Sequence, residues 1–101
     1  MYRVPHTWMN IATVIYVDQP VGTGFSSGSP LNTNMEELKV EFKNFLVELY
    51  KAFPYLSGKD VFMTGESYAG HYIPAFSDYL LDEGYKVKAS LIGDPDTMPL
   101  T

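Results

Sequence analysis

A serine set between small residues, Gly65-Glu66-Ser67-Tyr68-Ala69-Gly70, has the makings of a nucleophile. A serine hydroxyl attacks a carbonyl only when a general base takes its proton and when it projects into open space. A sharp strand-to-helix turn provides that projection. The backbone on either side of such a turn runs so close that only small residues fit two places before and two places after the serine. Gly65 and Ala69 meet this need, and Gly70 is a third small residue at the elbow. The Tyr68 backbone N–H, at the start of the helix, would point toward an oxyanion developing on the attacked carbonyl. Ala69 stands where the G-x-S-x-G pattern has its second glycine, so the motif alone fits an active-site serine and an ordinary turn serine about equally.

A serine nucleophile also needs an imidazole and an orienting carboxylate. The chain contains two histidines, His6 and His71. His71 lies one helical turn beyond Ser67 and reads as a packed or supporting residue, and nothing near His6 directs it toward the serine. Glu66 has two readings: a carboxylate stabilising the helix N-terminus, or a group acting on the substrate. With no cysteine in the chain, disulfides and thiolate metal sites are excluded within it, and no metal or other cofactor is expected.

Residues 12–17, Ala-Thr-Val-Ile-Tyr-Val, are apolar and β-branched before Asp18-Gln19-Pro20, which predicts a strand buried on both faces. Residues 21–34, with Gly22, Gly24, Gly28 and Pro30, predict a loop. Thr33 and Glu36 fit a capping box, and Met35, Leu38, Phe42, Phe45, Leu46, Leu49 and Phe53 recur at helical spacing up to Pro54. A second strand over residues 60–64 runs into the serine turn. A second helix follows, with Pro74 inside it and Gly84 as its C-terminal cap. A third strand is predicted over residues 87–92. The order β-α-β-α-β with short connectors implies an α/β fold of mainly parallel strands. Ligands of such sheets bind beyond the carboxyl ends of the strands, here residues 18–26, 65–70 and 93–96.

The chain has 101 residues, 46% hydrophobic, with seven Lys plus Arg against twelve Asp plus Glu and a formal net charge of -5. That balance, without any basic run, argues against nucleic acid as a partner. No apolar stretch approaches the roughly 20 residues of a membrane span. A sheet with helices on both faces is marginal at this length unless more chain completes it.

Gly65-Glu66-Ser67-Tyr68-Ala69-Gly70-His71-Tyr72-Ile73-Pro74 resembles the nucleophile segment of the serine carboxypeptidase family, which has alanine at the position of Ala69. Trp8 followed by Ala12, and then Asp18-Gln19-Pro20-Val21-Gly22-Thr23-Gly24-Phe25-Ser26, are similar to a second landmark of that family. Ile92-Gly93-Asp94 resembles its Ile-Gly-Asn, with Asp94 in place of Asn. The resemblance covers nearly the whole chain and implies residues 1–101 as a single fragment of an α/β-hydrolase domain, its sheet incomplete because a central strand is missing.

What the resemblance implies for matched positions is Ser67 as nucleophile, the Tyr68 N–H as an oxyanion donor with Tyr68 also beside the substrate, and Glu66 gripping the terminal carboxylate of a peptide or protein substrate. A carboxyl group can hold a carboxylate only if one of the two keeps a proton, so an acidic working pH is expected. The family's triad Asp and His lie downstream of Thr101, and its glycine-rich oxyanion segment and second carboxylate-binding Glu lie upstream of Met1. The isolated 101-residue chain is therefore expected to be poorly stable and inactive. The missing remainder of its own domain would be its natural partner, and a secretory, vacuolar, lysosomal or extracellular setting would follow. A carboxypeptidase-like acyltransferase and a noncatalytic truncated product are the alternatives.

Overall fold

The structure, a computed structural model, describes residues 3–28 and 34–96. The chain divides into two compact units, Met1–Leu31 and Asn32–Thr101.

The first unit holds a short 3-10 turn, Trp8–Asn10, and a closed loop over residues 18–26. In that loop the Phe25 N–H donates to Asp18 Oδ2 at 2.9 Å and the Ser26 hydroxyl donates to the Asp18 carbonyl at 2.6 Å. The Gly22 N–H donates to the Ser26 carbonyl at 3.1 Å. Gly24, at φ 53, leaves no room for a side chain because its Cβ would overlap the Asp18 carboxylate.

The strand expected over residues 12–17 is absent: this run has no regular structure and most of its side chains are exposed. An apolar β-branched run becomes a strand only when neighbouring strands satisfy its N–H and C=O groups. No other strand lies among the described residues of its unit.

The second unit begins with helix α1, Met35–Ala52. Asn34 caps it: Asn34 Oδ1 accepts the Glu37 N–H at 2.9 Å; Thr33, expected in a capping box with Glu36, lies outside the described residues. Leu38 and Leu46 supply the buried stripe of α1. Its charges form a solvated face with i,i+3 pairs, Glu36 with Lys39 at 2.7 Å and Glu48 with Lys51 at 2.9 Å. Phe53 is the C-cap, and Pro54 opens a 3-10 turn, Pro54–Leu56.

Strand β1, Val61–Glu66, then leads through the Ser67 turn into helix α2, Ala69–Asp82, and on to strand β2, Val87–Gly93. The two strands pair directly and in parallel, with Gly65 opposite Ile92 and Glu66 opposite Gly93. The observed order is thus α-β-α-β, a small α/β piece with two of the three expected strands. Pro74 sits inside α2, where its missing N–H leaves the Gly70 carbonyl without its i+4 donor. Gly84, at φ 90, ends the helix as expected. The N–H groups of Gly84 and Tyr85 return to the carbonyls of Leu81 and Leu80 at 3.1 and 2.9 Å.

α2 packs on α1 with one side and on the strands with the other. Ile73, Phe76 and Leu80 are its buried hydrophobic residues, and Phe76 stacks on Phe42 of α1 with ring centroids 4.8 Å apart. Ser77 meets Ser90 of β2, their hydroxyls 2.9 Å apart. Lys43 of α1 reaches Glu83 beyond α2 at 2.9 Å, which lowers the Glu83 carboxyl and raises the Lys43 ammonium from their ordinary values. On the opposite face of the sheet Phe62 and Leu91 are 55% and 54% exposed among the described residues.

Candidate active site

Ser67 occupies the turn between β1 and α2 with φ 56, in the left-handed region that residues with a Cβ avoid. Its side chain is exposed. Three backbone bonds hold it there. Its N–H donates to the Gly93 carbonyl at 3.0 Å, and its own carbonyl accepts from Gly70 at 3.0 Å and from Asp96 at 2.9 Å. Such strain persists only where the surroundings over-determine it. The segments 65–70 and 93–96, expected at one sheet edge, are brought together by these bonds.

The neighbours of Ser67 explain why small residues surround it. A Cβ on Gly65 would lie 2.6 Å from the Ala69 Cβ and 2.7 Å from Ile73 Cδ1. Gly70 is buried, and a Cβ there would stand 2.9 Å from both the Asp96 carbonyl oxygen and Pro95 Cβ. Asp94 adopts φ 41. Asp and Asn are the non-glycine residues that visit this region most readily, so Asp94 suits this backbone.

Tyr68 is the N-cap of α2 but supplies no side-chain capping bond, and no acidic residue lies in the first turn. Among the described residues the Tyr68 N–H has no acceptor. The start of α2 therefore presents the Tyr68 N–H and the positive end of its dipole beside Ser67. Glu66, the last residue of β1, is exposed and does not cap the helix. The Tyr68 ring, 55% exposed, lies against His71 at 4.7 Å and edge-on to Tyr72 at 5.0 Å. Burial, with the Tyr68 phenol adding, pushes the Tyr72 phenol above its ordinary value.

His71, half-buried in the first turn of α2, directs Nε2 at Asp96 Oδ2, 3.6 Å away. His6 belongs to the other unit, where it lines an open depression with Thr7 and Trp8. The residues of the 18–26 motif also lie in that unit, with the Asp18 carboxylate engaged inside its own loop. Among the described residues no cluster of His, Cys, Asp or Glu stands ready for a metal ion, and no helix is long and apolar enough to cross a membrane. Asp96 is the residue that the sequence motifs did not single out for the site. The only sequence signal for it was membership of the third strand's carboxyl edge.

A family model described as serine carboxypeptidase matches residues 1–101. The chain is 42% identical to serine-type carboxypeptidase F of Aspergillus niger over 95 residues, 90% of this chain and 18% of that protein. It is 44% identical to carboxypeptidase Y of Saccharomyces cerevisiae over 103 residues, 96% of this chain and 19% of that one. With serine carboxypeptidase-like 36 of Arabidopsis thaliana the identity is 37% over 102 residues, 94% of this chain and 21% of that protein. The chain thus spans about a fifth of the length of these curated relatives.

Proposed function

The chain belongs to the serine carboxypeptidase family, and from that premise we propose that it carries the nucleophile segment of a peptidase that removes C-terminal residues through an acyl-enzyme on Ser67. The supporting observation is the Ser67 turn itself: an exposed serine at φ 56 between a strand and a helix, followed by a Tyr68 N–H with no acceptor among the described residues. In the reaction Ser67 Oγ bonds to the carbonyl carbon of the last peptide bond while a base takes its proton. The Tyr68 N–H stabilises the oxyanion. The C–N bond then breaks, the leaving amine receives the proton, and water hydrolyses the ester to restore the serine.

Glu66 is the group assigned to the substrate's terminal carboxylate. It ends β1 beside Ser67, is exposed, and has no capping duty at α2. Charge repulsion requires the pair of carboxyl groups to share a proton, which favours binding at acidic pH.

The base is assigned to sequence outside residues 1–101. In the unit that holds Ser67 the one imidazole is His71, and it faces Asp96. The 101-residue chain alone is therefore proposed to be inactive. The test is covalent labelling by an alkyl fluorophosphonate. A full-length chain carrying this segment should label at Ser67 and release C-terminal residues from peptides, while the Ser67→Ala variant does neither and residues 1–101 alone do not label. Labelling at another serine, or unimpaired turnover by Ser67→Ala, would overturn the assignment.

A further inference from the structure

The turn after β2 does more than end a strand, because it holds Ser67 at both of its peptide groups. The Ser67 N–H is tied to Gly93 and the Ser67 carbonyl to the Asp96 N–H, at 3.0 and 2.9 Å. Between those anchors Asp94 takes φ 41 and Pro95 packs over Gly70, so the turn fits the elbow closely. One side-chain contact fastens the far end of this turn to α2: His71 Nε2 lies 3.6 Å from Asp96 Oδ2. At that distance the contact is too long for a direct hydrogen bond, and it is an ion pair when the imidazole is protonated.

We propose that His71 and Asp96 are positioning residues for Ser67, a side-chain clamp that keeps the 94–96 turn on the elbow and so holds the serine in its left-handed conformation. The inference deepens the reading of Ser67 as nucleophile and rests on it for its functional meaning. His71 acts here through Asp96 and not as the general base. Without the clamp, the Asp96 N–H leaves the Ser67 carbonyl more often, and the serine relaxes toward a conformation in which its hydroxyl no longer projects.

The experiment is amide hydrogen exchange in the full-length chain at mildly acidic pH, where an imidazole is protonated. Protection at the Ser67 and Asp96 amides is compared with that at Leu80 in the core, each corrected for intrinsic rates. Asp96→Asn, which removes the charge and keeps the shape, and His71→Gln should each lower protection at the first two amides about two- to fivefold, as for a part-exposed pair. The double variant should fall no further than either single one, and Asp96→Glu should recover part of the loss. Unchanged protection in a single variant, multiplicative losses in the double, or a parallel fall at Leu80 would overturn the clamp. The readout does not depend on chemistry at Ser67. An unreactive serine would sink the proposed function and leave the clamp standing, whereas normal labelling with unchanged exchange would sink the clamp alone.

Discussion

A Cβ added to Gly65 would stand 2.6 Å from the Cβ of Ala69, closer than two carbon atoms of neighbouring side chains can approach. Both residues flank Ser67, one at the end of β1 and one at the start of α2. The turn is thus tight around Ser67, which is itself exposed. Ile73 Cδ1, at 2.7 Å from the same point, closes the remaining side.

Gly65→Ala should therefore destabilise the protein by about 1–3 kcal/mol, the range for overpacking a tight site. It should also slow Ser67 labelling. Adding Ala69→Gly removes the first of the two close contacts and should restore part of the stability, as read from denaturant midpoints at constant m. Equal midpoints for Gly65→Ala and the parent would mean that the elbow is looser than its geometry indicates.

The left-handed φ of Ser67 costs a residue with a Cβ about 1–2 kcal/mol that glycine does not lose. Ser67→Gly should accordingly raise stability by about 1 kcal/mol, less the extra chain entropy of glycine, while abolishing labelling. Asp94→Gly, at φ 41, should gain less, because Asp tolerates this region better, and should still label. Loss of stability in Ser67→Gly would show that the hydroxyl, not the backbone, holds the turn.

Binding through Glu66 predicts a pH dependence with a definite sign. As pH rises and both carboxyl groups ionise, repulsion should raise KM for a peptide with a free C-terminus, with little change for its C-terminal amide. Glu66→Gln should flatten that dependence over the acidic range. A free-acid peptide that bound more tightly as pH rose would rule out proton sharing.

The Lys43–Glu83 contact ties α1 to the end of α2, and its pH window follows from both partners. The hydrogen bond from Lys43 lowers Glu83 below 4.5, so its contribution is present above that value and lost as pH falls through the lowered one. The bond to Glu83 raises Lys43 above 10.5, so that contribution is present below 10.5 and lost as pH rises through the raised value. Glu83→Gln should lower Tm slightly at pH 7 and not at a pH below the lowered Glu83 value, where the carboxyl is protonated in both states. A difference that persists at the acidic end would assign the effect to packing.

Much of this was legible along the chain because it is local. The apolar spacing from Met35 onward marks α1, Gly84 marks the end of α2, and the small residues around Ser67 mark a strand-to-helix turn, since each pattern reports on atoms within a few residues of one another. Asn34 caps α1 through a side-chain oxygen that short polar residues share, so composition alone does not single it out. Residues 12–17 misled for a related reason: their composition states that they suit a strand and carries nothing about whether a neighbour exists to pair with them.

By itself the sequence determined the helices, the strand-to-helix turn at Ser67 and the family. Only the tertiary structure decided that β1 and β2 pair directly, with Glu66 opposite Gly93, and that this register carries residues 93–96 onto the serine. It also decided that His71 turns to Asp96 and that α2 lies between α1 and the strands. The physical reason is range. Helical periodicity and turn sterics act between residues close in sequence. Strand register and the pairing of His71 with Asp96 join residues far apart in the chain, and these are settled only when the whole set of packing and backbone hydrogen bonds is satisfied at once.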